Sequence, residues 1–134
     1  MAVTDLPILS MLRTKMQWHQ TRQKLISENV ANADLPGFKP RDLAAPAFDR
    51  KTGEAVGNGG VALARTSAGH IAPAGGEGGA DPRRVKGFEI RPSGNGVNLE
   101  EEMMKAGDNQ ADYQLAASLY QKSLDALKIA VGKR

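Results

Sequence analysis

The sequence predicts a mainly α-helical chain: long N- and C-terminal helices pair in coiled-coil fashion around a Gly-rich insert, irregular or with short β segments. Three observations lead there. Each end of the chain carries a heptad series of apolar residues, and twelve of the fifteen glycines fall between Gly53 and Gly96. The predicted units are 1–42, an N-terminal helix with a turn; 43–97, a flexible insert; and 98–134, a C-terminal helix.

The first helix opens at Thr4 or Asp5 as cap, with Pro7 in the first turn, where its missing amide hydrogen costs nothing. Leu9, Leu12, Met16, His19, Gln23, Ile26, Val30 and Ala33 then recur at heptad spacing. His19 and Gln23 make the middle of this seam polar, which weakens packing but fixes register. Ile8, Met11, Trp18 and Leu25 widen the stripe.

The helix closes in Asn29-Val30-Ala31-Asn32-Ala33-Asp34-Leu35-Pro36-Gly37-Phe38-Lys39. Pro36 drives Leu35 out of helical geometry, and Pro36-Gly37 fits the centre of a type II turn, where glycine accepts a positive φ. Asn32 and Asp34 suit the fraying end through local hydrogen bonds. Phe38 is the apolar anchor that folds the outgoing chain back on the helix.

Residues 43–97 read differently. Gly59-Gly60 and Gly75-Gly76-Glu77-Gly78-Gly79 disfavour helix and dense sheet alike. Val61 to Ala64 and Val85 to Ile90 are candidate short strands in a segment that orders only among neighbours.

The final helix places Leu99, Met103, Ala106, Gln110, Tyr113, Ala117, Tyr120, Leu124, Leu127 and Val131 at spacings of four and three. Such a seam cannot stay folded in water unpaired, because its helix would forgo the burial that holds it. Asn98 caps the start, with Glu101 placed to reach back as a capping box. Glu100, Glu101 and Glu102 sit at the positive end of the helix dipole; Lys122, Lys128, Lys133 and Arg134 lie toward the negative end, and Gly132 is the stop. Leu115, Leu119, Ala126 and Ile129 lie off the seam and offer a second, narrower contact surface, so polymerisation follows naturally from a two-sided helix.

Composition excludes several function classes. The net charge is +3 with aromatic residues at only 4%, and the cations are interleaved with acids, so no phosphate-tracking groove or stacking platform emerges and no nucleic-acid partner is expected. There is no cysteine, so neither a disulfide framework nor a thiolate metal site exists. His19 and His70 are the only imidazoles, no nucleophile or metal-ligand arrangement surrounds them, and Gly75 to Gly79 lacks the lysine of a P-loop. The chain is therefore read as no enzyme, with no cofactor. No apolar run reaches the roughly 20 residues of a spanning helix, and Met1 to Asp5 has no basic stretch leading into an apolar one, so neither membrane insertion nor a cleaved secretory signal is expected.

The run from Asn29 to Lys39 resembles the signature of the bacterial flagellar rod and hook family, N-(I/V)-A-N-A-x-T-P-G-(Y/F)-(K/R), with Leu35 in place of the usual hydroxyl residue. Within that family the likeness is to the proximal-rod members. Lys39-Pro40-Arg41-Asp42-Leu43, Thr66 through His70-Ile71, Ser93 through Met103, Asn109 to Leu115 and Leu119 to Val131 all resemble segments of these. The resemblance implies a structural subunit of the flagellar basal-body rod, the periplasmic shaft that carries torque from motor to hook and filament and is needed for motility. It implies pairing of the terminal helices, and association with other rod proteins, with copies of itself and with base components such as the rod adapter and membrane-embedded ring. It also implies passage through the flagellar type III export apparatus without a cleaved signal. Assembly-interface residues would be Leu12, Met16, Ile26 and Val30 on the first helix and Tyr113, Ala117, Tyr120, Leu124 and Leu127 on the second. Asn29, Asn32, Pro36, Gly37 and Phe38 would form the turn motif that sets how the insert leaves. Two alternatives stay open: another rod or hook family member, marked by a sizeable outer β-domain, or a secreted helical adaptor or effector, marked by a discrete soluble oligomer.

Overall fold

A computed structural model describes residues 6–49, 52, 55–56, 82–84 and 91–132. Two helices dominate: α1, Pro7–Ala31, and α2, Leu99–Ala130. Between them, among the described residues, lie four short strands, β1 (Arg41–Leu43), β2 (Ala47–Phe48), β3 (Ala55–Val56) and β4 (Pro82–Arg84). β1 pairs antiparallel with β4, placing Asp42 opposite Arg83, and β2 pairs antiparallel with β3. The expected short-β character of the insert is thus present. Val61 to Ala64, Val85 to Ile90, the glycine runs of the insert and the Thr66 to Ile71 segment lie outside the described residues.

The helices lie antiparallel. Asn29 meets Glu102, His19 meets Asn109 and Gln20 meets Tyr113, so numbering falls on one helix as it rises on the other. At about 1.5 Å per residue the 25 residues of α1 span about 37 Å and the 32 of α2 about 48 Å. The surplus is at the far end, where the last turns of α2 run beyond Pro7 and Ile129 is 76% exposed.

The helix ends follow their local chemistry, with two corrections. α1 begins one step later than its expected caps. Thr4 and Asp5 lie outside the described residues, the cap position falls on Leu6, and no side chain caps the helix; Pro7 takes the first helical position, as anticipated. At α2 the Asn98 side chain accepts from the amides of Glu100 at 3.0 Å and Glu101 at 3.4 Å. Glu101 does not complete a capping box: its carboxylate pairs with Lys105 Nζ at 2.8 Å, a neighbour one turn on. The far end stops as expected on Gly132 at φ +78°, with its amide donating to Ile129; Lys133 and Arg134 lie outside the described residues.

The buried core is small and lies between the helices and β1. Leu9, Leu25, Ile26, Ala33, Leu43, Val97 and Ala116 supply its apolar part. Its polar part is as prominent: His19, Asn29, Asn95, Glu102 and Asn109 are all essentially buried.

Candidate functional site

On α2 the fully buried residues are Glu102, Asn109 and Ala116, a strict heptad. With half-buried Ala106, Tyr113, Tyr120, Ser123 and Leu127 they trace the line that faces α1. The apolar series from Leu99 shares Ala106, Tyr113, Tyr120 and Leu127 with this line. At alternate positions it is displaced by one residue, rotating the stripe by roughly 50° about the helix axis. Of the predicted interface residues, Ile26 is buried, Leu12, Met16, Tyr113, Ala117, Tyr120, Leu124 and Leu127 are half-buried, and Val30 is 40% exposed while neighbouring Asn29 points inward. Leu99 and Met103 are exposed, the latter at 70%.

Polar side chains take the central places because each finds hydrogen-bond partners there, with His19 Nε2 the exception among the described residues. Asn29 joins three elements: its Nδ2 donates to the Arg41 carbonyl on β1 at 2.8 Å and to Glu102 Oε2 on α2 at 3.0 Å, and its Oδ1 accepts the Arg41 amide at 3.0 Å. The buried Glu102 carboxylate takes its countercharge from Lys105, Nζ to Oε1 at 3.1 Å. Burial presses the Lys105 ammonium pKa down, but hydrogen bonds and charge from Glu101 and Glu102 outweigh it and hold that pKa above its ordinary value.

A second cluster sits two turns away. Asn109 Nδ2 donates to the His19 carbonyl at 2.9 Å and to Gln23 Oε1 at 3.0 Å, while its Oδ1 lies 2.7 Å from His19 Nδ1. An amide oxygen only accepts, so Nδ1 carries the imidazole proton. His19 Nε2 is buried with no partner among the described residues. His19 is thus a seam residue.

β1 is held on the flank of α1 by charge and by an aromatic ring. Arg22 grips Asp42 in a two-point fork, Nε to Oδ1 at 2.8 Å and Nη2 to Oδ2 at 2.9 Å, and lies 5.4 Å from the centre of the Trp18 ring. Trp18 Nε1 donates to the Ala44 carbonyl at 2.7 Å. Desolvation pushes the Asp42 carboxyl up, but Arg22 and the Leu43 amide more than offset it and leave its pKa below the ordinary carboxylate range. The bond to Asp42 raises the Arg22 guanidinium against the opposing effect of burial.

The turn motif forms a clasp. Leu35-Pro36-Gly37-Phe38 closes with the Phe38 amide on the Leu35 carbonyl at 3.3 Å and Gly37 at φ +72°, the expected type II geometry. The Gly37 amide donates to Ser93 and the Gly96 amide to Phe38, each at 3.0 Å. A Cβ on Gly94, itself at φ +78°, would lie 3.5 Å from the Gly37 Cα, so the two turns press backbone on backbone. Asn95 pins them: Nδ2 donates to the carbonyls of Asn32 at 2.9 Å and Leu35 at 2.8 Å, and Oδ1 accepts the Val97 amide at 2.8 Å. Asn32 satisfies the end of α1 through the Glu28 carbonyl at 2.7 Å. Phe38 is half-buried and anchors the clasp through its backbone as well.

The outer surface is where association chemistry remains. Met104, Leu115, Leu119 and Ile129 are exposed on the back of α2, away from α1. An open groove of about 430 Å³ beside the turn is lined by Leu35, Pro36, Gly37, Phe38, Lys39 and Arg41, which include no nucleophile and no acid–base pair. Among the described residues no group of three His, Cys, Asp or Glu is placed to hold a metal ion, and no helix is long and apolar enough to cross a membrane.

Comparison with known proteins finds relatives that share from 69% to 99% of the chain. A flagellar basal body rod protein FlgB of Agrobacterium fabrum is 31% identical over 137 residues, covering 99% of this chain and 98% of the relative. The FlgB of Cereibacter sphaeroides is 33% identical over 114 residues, 84% of each chain, and that of Yersinia enterocolitica 39% identical over 98 residues, 69% of this chain and 70% of the relative. No family model matches the chain.

Proposed function

We propose that this chain, which belongs to the FlgB family of flagellar basal body rod proteins, is a structural subunit of the proximal rod. It forms part of the shaft that transmits torque from motor to hook and filament, and motility requires it. The observation that carries this reading is the two-sided second helix: one face is committed to α1, while Met104, Leu115, Leu119 and Ile129 stay exposed on the other. A helix in this state gains its remaining burial by association. In the same reading the partners are copies of this chain, other rod proteins, the rod adapter and membrane-embedded ring at the base, and the export apparatus that delivers the chain to the periplasmic rod. Its units are 1–42, the N-terminal rod helix with its turn motif, 43–97, the flexible Gly-rich insert, and 98–134, the C-terminal rod helix. Leu12, Met16, Ile26, Val30, Tyr113, Ala117, Tyr120, Leu124 and Leu127 are its interface, with Asn29, Asn32, Pro36, Gly37 and Phe38 setting the insert. The chain works by association and not by catalysis.

The test is replacement of the chromosomal copy by an epitope-tagged one, followed by purification of basal bodies. The tagged chain is expected in the rod, and its deletion is expected to leave cells without a complete rod and non-motile. Motile deletion cells, or basal bodies lacking the chain, would overturn the reading.

A further inference from the structure

The two long sides of the helix pair are unequal. On one, β1 and Ala44 cover the interface through Asn29, Arg22 and Trp18. On the other, helical geometry at about 100° per residue aligns Leu99, Met103, Gln110, Ala117 and Leu124 of α2 beside Val30 and Met16 of α1. This edge is open: Val30, Leu99, Met103 and Gln110 are exposed, and Ala117 and Leu124 are only half-buried. It is the apolar heptad of the sequence, left at the margin of the pair because Glu102, Asn109 and Ala116 took the centre.

The back of α2 is a second apolar line, Met104, Ala111, Leu115, Leu119, Ala126 and Ile129, every member exposed. Edge and back each run about 25 residues, or about 38 Å. They lie on different sides of one helix, so no chain can fold one onto the other, and among the described residues nothing covers either.

Charge selects the match. α1 carries four cations against one carboxylate, and α2 six carboxylates against three lysines. Arg13 and Lys24 flank the open edge, exposed and without an ion pair among the described residues; exposed Asp108 and Asp112 flank the N-terminal half of the back line, Asp108 also acting on Arg22 of its own chain, and exposed Lys122 lies in the C-terminal half. We propose that the back of α2 in one copy seats in the open edge of the helix pair of a second copy, its Asp108 and Asp112 approaching the second copy's Arg13 and Lys24. The inference rests on the rod-subunit reading above. Because the joined surfaces differ, the contact is heterologous and leaves a free edge and a free back at either end of any stack, which is the condition for open helical growth in place of a closed dimer.

The absence of cysteine makes the test clean. Cells make two differently tagged copies, one with Leu115→Cys and the other with Met103→Cys, Gln110→Cys or Ala117→Cys, and isolated basal bodies containing both are treated with a short thiol crosslinker. The expected product is a mixed-tag dimer at one or more of the three edge positions, well above the product joining two Leu115→Cys copies. Asp108→Lys with Asp112→Lys in the back-face copy should lower it several-fold, and Arg13→Glu with Lys24→Glu in the edge copy should restore it. Predominant linkage of two Leu115→Cys copies, or no mixed product in basal bodies that contain both tags, overturns the inference. Absence of both tagged chains from basal bodies overturns instead the rod reading on which it stands.

Discussion

Asn109→Leu isolates the contribution of the polar seam. The variant keeps the branched outline of the side chain and removes three hydrogen bonds, those to His19 Nδ1, the His19 carbonyl and Gln23 Oε1. The His19 carbonyl sits within α1, and Gln23 is half-buried and regains water, so both losses are small. The His19 Nδ1 proton has no such recourse: the residue is 2% exposed and its Nε2 is already unpartnered among the described residues. Orphaning that donor costs about 1–3 kcal/mol, against which leucine returns part through apolar burial. A net loss of about 2 kcal/mol is expected, roughly 30-fold in the folding equilibrium. His19→Phe in the same background removes the orphan, and the double variant should return to within about 1 kcal/mol of the parent, since replacing both partners with apolar groups is nearly neutral. Urea unfolding of the four proteins, followed by far-ultraviolet circular dichroism, gives the coupling directly. Additive single losses, or an Asn109→Leu chain as stable as the parent, would refute the view that this pair locks the helices together.

Other consequences are as specific. The Asp42 carboxyl has a folded-state pKa below its unfolded one, so its stabilisation is complete above the unfolded value and is lost as pH falls through the depressed one; Asp42→Asn should flatten the acid limb of a stability-against-pH curve. Lys105 is shifted upward, so its contribution is present below the ordinary lysine value and disappears as pH rises through the raised one, and Lys105→Met should remove that alkaline loss. Gly37→Ala, with nothing within 4 Å of the added carbon but φ at +72°, should cost about 1 kcal/mol from backbone strain alone, measured as a shift in urea midpoint at unchanged slope. Leu124→Asp puts a charge at the margin of the helix pair and should block incorporation into the rod, read as loss of swarming and absence from purified basal bodies.

How much of this was legible in the residues varies along the chain. The helices, the Pro36-Gly37 turn, the Asn98 cap and the Gly132 stop are local chemistry, and each was readable from a handful of neighbours. The buried line of α2 was not. An apolar pattern points to Leu99, Met103 and Leu124, whereas Glu102 and Asn109 win the centre through partners 73 and 90 residues away, Asn29 and His19, which no periodicity displays. Glu102 reads as one of three dipole-compensating acids until Asn29 and Lys105 close around it. The run from Asn109 to Leu115 did mark Asn109 through family likeness, without giving it a role. Asn95 had a similarly faint signal: its Gly-rich surroundings suggest a turn but not the clamp that its amide supplies.

The meeting of Gly37 and Gly94 has an implication for the length of the intervening chain. Both strands of the neck are fastened there by amides and by Asn95, so whatever lies beyond is a closed loop whose ends are already paid together by the helices. Doubling such a loop adds only about 0.6 kcal/mol of closure entropy. Because β1 packs on α1 beyond this junction, only the chain past β1 and its partner β4 changes length at so small a cost, which makes that stretch the natural place to graft a reporter.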